Sequence, residues 1–132
     1  NKFLKKELIK PTKIYVKEIL NLAKNNLINS AAHITGGGLI ENIERSVPKN
    51  LSIHIDLSKI KVKYIFKWLK KNNISDKEMI NTFNCGIGFC LIVSKKNIPK
   101  IKKKFTKEFM PYEIGFISKD KKKVNLSNNL KW

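Results

Sequence analysis

Arginine is almost missing from this chain: 28 lysines and arginines stand against 10 acidic residues, and only Arg45 is an arginine. Arginine supplies the planar fork that grips bases and phosphates in pairs of hydrogen bonds, so its scarcity argues against nucleic acid as the partner despite a net charge of +18. Cysteine is nearly as scarce. The two present, Cys85 and Cys90, form no Cys-x-x-Cys pair and belong to no His/Cys cluster, which excludes a zinc framework. They read as lying on opposite faces of one strand and are not expected to bond to each other. No apolar run reaches the length of a membrane span, and the charged N-terminus has no apolar signal core. Neither G-x-G-x-x-G nor G-x-x-x-x-G-K-[ST] occurs, so the common nucleotide loops are absent as well.

What is present fits one folded domain in a reducing cytoplasm. The chain has 132 residues, 42% of them apolar, enough for a core. It begins at Asn1 in mid-element and reads as part of a longer protein. Lysine, isoleucine and asparagine supply 61 of the 132 residues, the bias of an AT-rich coding background. The lysines are spread over four regions without interleaved aromatics, unlike a base-stacking platform. A nucleic-acid-binding module is the rival reading that the charge keeps open. The same positive field would also concentrate phosphorylated small molecules.

Pro11-Thr12 opens an amphipathic run with Ile14, Tyr15, Ile19, Leu22 and Ala23 at helical spacing, ending near Asn26. Ala31 to Thr35 reads as the first strand, and Leu39, Ile43 and Val47 mark a helix stopped by Pro48. Glu41 and Arg45 share a helix face as an exposed ion pair. Leu51, Ile53 and Ile55 alternate with Ser52 and His54 in a half-buried strand, which leaves His54 facing solvent. A helix over 62–71 buries Ile65, Phe66, Trp68 and Leu69, and Ser75-Asp76-Lys77-Glu78 is a capping box. Gly86 to Val93 reads as a buried strand and Asn97 to Phe109 as a helix. Tyr112 to Ser118 and Val124 to Leu126 read as strands around a charged Lys119-to-Lys123 turn. This order implies one sheet of mixed strand directions with helices on both faces.

Ala32-His33-Ile34-Thr35-Gly36-Gly37-Gly38-Leu39-Ile40-Glu41-Asn42 carries the most chemistry. Three glycines between a strand and a helix leave the backbone amides bare. The helix start adds unpaired N–H groups and a positive dipole end, the geometry of an anion site. His33 and Thr35 stand at one rim, Glu41 and Asn42 at the other. A tight turn with no ligand accounts for the glycines equally well. A second glycine-edged segment, Thr82-Phe83-Asn84-Cys85-Gly86-Ile87-Gly88, joins the capped helix to the buried strand. Its glycines read as sharing one strand face, with Thr82 and Asn84 at the same edge; a bend with local capping is the alternative.

Pro11-Thr12-Lys13-Ile14-Tyr15-Val16, then Ala32-His33-Ile34-Thr35-Gly36-Gly37-Gly38 with Glu41-Asn42-Ile43, then Glu78-Met79 and Thr82-Phe83-Asn84-Cys85-Gly86-Ile87-Gly88 resemble, in this order, the phosphoribosylformylglycinamidine cyclo-ligase family. The likeness covers nearly the whole chain and only that enzyme's C-terminal domain. It departs at Glu44, where many relatives carry proline. The resemblance implies an α+β fold, three-layer α/β/α with a mixed sheet and partly ferredoxin-like. It implies ATP-dependent closure of the imidazole ring of formylglycinamidine ribonucleotide, giving aminoimidazole ribonucleotide in purine biosynthesis. A sister enzyme of the same superfamily is the nearest alternative. ATP and Mg²⁺ would be bound mainly by an N-terminal domain absent from these residues, and the full-length enzyme would be a homodimer. Residues matching the family's motifs are His33, Thr35, Gly36, Gly37, Gly38, Glu41 and Asn42, with Thr82, Asn84 and Gly86 as the opposite wall. His33 would polarise the amide, move a proton, or brace the loop.

Overall fold

The computed structural model describes residues 2–120 and 124–132. Three of the lysines expected in the charged turn, residues 121–123, lie outside them. A first helix not anticipated from the sequence, α1 (Lys2–Leu8), buries none of its residues and sets Phe3 edge-on against Tyr64, 4.9 Å between ring centres. The helix α2 (Val16–Lys24) starts later than its periodicity predicts. Leu22 is its buried residue, and Ile14, before the helix, is 76% exposed.

The strands are short: β1 (Ser30–His33), β2 (Ser52–Asp56), β3 (Phe89–Ile92), β4 (Gly115–Ser118) and β5 (Val124–Ser127). They form two sheets instead of the single one expected. β1 and β3 pair antiparallel, and β2 lies centrally between antiparallel β4 and parallel β5, so strand directions are mixed as predicted. Both sheets drain into one core. Ala32 and Ile34 meet Ile53, Ile55 and Leu57 from β2 and its exit, and Leu39 and Ile43 from α3 (Gly38–Arg45). Met79 and Ile80 of α5 (Asp76–Thr82) complete it. This is an α+β architecture in which α3 and α5 cover the glycine-bearing ends of the strands.

The Ser75 capping box forms in full: its hydroxyl accepts the Glu78 amide at 3.1 Å and the Glu78 carboxylate accepts the Ser75 amide at 3.4 Å. The helix α4 (Tyr64–Lys70) is shorter than expected, with Ile65, Phe66, Trp68 and Leu69 half-buried. The helix expected up to Phe109 is continuous only over α6 (Ile98–Lys103), where Ile101 packs on Leu22 and Leu27 in a second small core.

Two further expectations change. His54 does not face solvent freely. Register sets it opposite Phe116, with rings parallel within 3° and centred 4.5 Å apart, and its Nε2 lies 2.8 Å from the Ser118 hydroxyl. The strand predicted from Gly86 begins only at Phe89, because Cys85 (φ +49°) and Gly86 (φ +105°) both take left-handed backbone. Cys85 is thus buried in a turn and only Cys90 is on the strand; both are free thiols.

Candidate functional site

The site is assembled by strand register. His33 at the end of β1 pairs with Phe89 at the start of β3, and the Ile34 amide extends the ladder by donating to the Gly88 carbonyl at 3.0 Å. The loop leaving β1 and the loop entering β3 therefore lie side by side, although far apart in sequence.

Each glycine of the first loop has its own role. Gly37 (φ +89°) is the N-cap of α3, and Gly38 (φ +65°) follows in the same left-handed region. Gly38 is buried, and a Cβ there would overlap the Ile80 and Asn81 carbonyls at the end of α5. Gly36 is exposed and a Cβ there would meet nothing. The Gly38 amide closes the turn onto the Thr35 carbonyl at 3.1 Å. Among the described residues, the amides of Gly36, Gly37 and Leu39 have no hydrogen-bond partner. Asn42 braces the loop from α3: its amide donates to the carbonyls of Gly38 at 2.7 Å and Gly36 at 3.1 Å. Those two hydrogen bonds hold the loop's carbonyls on the Asn42 side.

Charge at the mouth is balanced between two effects. The start of α3 is electropositive, yet the Glu41 carboxylate folds back against the Gly37 α-carbon and pairs with Arg45 at 3.1 Å. Both side chains are exposed, and such a helix pair contributes about 0.3–0.5 kcal/mol. Hydrogen bonds from amides to an anion contribute about 1.5–3 kcal/mol each. Glu41 is therefore held over the turn by only a weak ion pair.

Thr35 shares an open hollow of about 220 Å³ with Thr82 and Asn84 from the second loop, lined also by Ile34, Phe66 and Phe83. His33 is not part of it. It lines a separate hollow of about 340 Å³ with Asn42 and Arg45, and its exposed ring stacks on Phe89 at 5.5 Å with Tyr15 edge-on at 5.9 Å. Gly86 lines neither cavity. Its bare α-carbon lets the chain pass the Lys61 carbonyl, where a Cβ would stand 3.0 Å away. Gly88 is likewise bare because the Tyr15 hydroxyl lies over it. No group of three or more His, Cys, Asp or Glu converges as a metal cage among the described residues. Burial pushes the Cys85 thiol up to about 11 and the Cys90 thiol up to about 12, so neither supplies a thiolate.

Residues 1–126 match the family described as AIR synthase related protein, C-terminal domain. The chain belongs to this family. The phosphoribosylformylglycinamidine cyclo-ligase of Streptococcus pneumoniae serotype 4 is 46% identical over 119 residues, which are 89% of this chain and 34% of that enzyme. The same figures hold for the cyclo-ligases of the Hungary19A-6 and CGSP14 strains. The chain thus spans about a third of the length of the curated relatives it matches.

Within this AIR synthase-related C-terminal domain, Phe66, Phe83 and Tyr15 are the site neighbours that sequence reasoning did not single out. Phe66 lies on a helix whose apolar spacing signals only core, and Phe83 stands in the second motif between the polar Thr82 and Asn84. Periodicity places Tyr15 in the apolar stripe of α2, but it sits just before that helix and packs on His33, Phe89 and Phe109.

Proposed function

We propose that this chain is the substrate-side domain of an ATP-dependent cyclo-ligase. The whole enzyme would close the imidazole ring of formylglycinamidine ribonucleotide, giving aminoimidazole ribonucleotide in purine biosynthesis in the cytoplasm. One observation carries the reading. In a chain 46% identical to a cyclo-ligase, the two motif loops meet beside a braced glycine turn with open amides.

In this reading ATP, when bound, would supply the phosphoryl group that makes the formyl amide oxygen a good leaving group, which departs as phosphate when the amidine nitrogen attacks the carbon. ATP and Mg²⁺ belong mainly to the N-terminal domain of the full enzyme, which pairs as a homodimer. This chain contributes position and electrostatics. The amides of Gly36 and Gly37, with the start of α3, grip a phosphate group and hold the substrate still. Asn42 keeps the loop carbonyls turned away from that charge. Thr35, Thr82 and Asn84 form the facing wall. His33, whose ring nitrogens have no hydrogen-bond partner among the described residues, stands at the rim where a proton can be moved.

The reading is tested by turnover and by binding. The purified 132-residue chain should close no ring when given formylglycinamidine ribonucleotide and Mg²⁺-ATP. Steady turnover by the chain alone would overturn the two-domain proposal. Gly36→Ala should weaken binding of formylglycinamidine ribonucleotide at least tenfold in calorimetry, since its methyl group points into space the protein leaves empty. Undiminished affinity would remove the phosphate assignment.

A further inference from the structure

The cavity beside the glycine loop differs from it in chemistry. Its floor and one side are hydrocarbon: buried Ile34, with Phe66 and Phe83 tilted 52° to each other at 6.1 Å. The other side is polar and uncharged, made by Thr35, Thr82 and Asn84. None of the six lining residues carries a charge. A phosphate in this hollow would find no cation among its lining, whereas a flat, neutral group could lay one face against the rings.

The orientation of Asn84 sharpens this. Its Oδ1 accepts the Gly86 amide at 3.0 Å, and its backbone carbonyl accepts the Ile87 amide at 2.8 Å. With Oδ1 committed to that turn, the flip of the side-chain amide is decided. Its Nδ2 is left as a donor with no partner among the described residues. A neutral hollow with this oriented donor, flanked by two hydroxyls that can also donate, suits a carbonyl oxygen.

We infer that this cavity seats the neutral, carbonyl-bearing end of the ligand whose phosphate rests on the glycine loop, and that Asn84 is its specificity-determining donor. Thr35 belongs to both the loop and the cavity, so one molecule can reach both. The inference rests on the reading of the loop as a phosphate site in a cyclo-ligase and adds which residues choose the substrate's other end. A ligand with the phosphate but no amide would use only half the site.

The experiment compares two ligands on three proteins by calorimetry: formylglycinamidine ribonucleotide, and ribose 5-phosphate as a probe of the loop alone. Asn84→Asp keeps the Oδ1 that accepts from Gly86 but replaces the donor with an acceptor. Phe66→Leu alters the opposite wall, away from that turn. Both variants should weaken the nucleotide, Asn84→Asp at least tenfold, and leave ribose 5-phosphate within twofold of wild type. Equal losses for both ligands would show that Asn84 acts only through the loop's shape and would overturn the inference. So would a wild-type protein that binds the nucleotide no more tightly than ribose 5-phosphate, although the phosphate loop would then survive. Failure of wild type to bind either ligand would overturn the phosphate reading and this inference with it.

Discussion

At the scale of single residues, the three adjacent glycines are not equivalent. Gly38→Ala forces a methyl group into the Ile80 carbonyl at a left-handed position, and neither backbone can yield cheaply. We expect it to lower stability by more than about 2 kcal/mol in urea titrations, by the usual scale of overpacking. Gly36→Ala meets open space and should stay within about 0.5 kcal/mol of wild type, as surface changes do. The two cysteines give a pH prediction. Desolvation raises Cys90 from an ordinary 9.0 to about 12 and, with a smaller contribution from the Asp76 charge, raises Cys85 to about 11. The unfolded chain therefore releases these protons first as pH rises. Their contribution to stability is full below pH 9 and is lost as pH climbs through 9 toward 11–12. Replacing both by alanine should flatten the fall of the urea midpoint over that range relative to wild type. Neither thiol should react with a disulfide reagent at pH 7.5 until the chain unfolds.

At the scale of elements, local chemistry was legible wherever it was self-contained. The Ser75 capping box needs four consecutive residues and forms as read; Ser75→Ala should cost about 1 kcal/mol in thermal or urea unfolding. The helix after the glycines also starts and stops close to expectation, bounded by Gly37 and Pro48. Errors arose where periodicity ran past a turn. Cys85 to Val93 is continuously apolar except for its glycines, yet the Asn84–Gly86 turn delays the strand to Phe89. Apolar spacing up to Phe109 likewise hid the end of α6 at Lys103. Pairing was beyond the sequence altogether, because strands of four or five residues carry too little pattern to announce two sheets. The candidate residues of both loops were readable from their types. That Thr35 would share a cavity with Thr82 and Asn84 while His33 faced another depended on the β1–β3 register.

At the scale of the whole molecule, the net charge of +18 makes a long-range field. If it serves only to attract small phosphates, duplex DNA should show no tight binding at about 0.15 M salt, where fields are screened within about 8 Å. A nucleic-acid module would instead lose about 10³–10⁵ in affinity between about 50 and 200 mM salt, and gel-shift titrations across that range decide between them. The hydrogen bond from Ile34 to Gly88 is, among the described residues, the last backbone rung before the two loops separate. A motion that parts β1 from β3 at this end breaks it. The rate at which the Ile34 amide trades its proton for deuterium is then a clock for the opening of the cleft, readable before any reaction is assayed and slowed by whatever compound spans both sides.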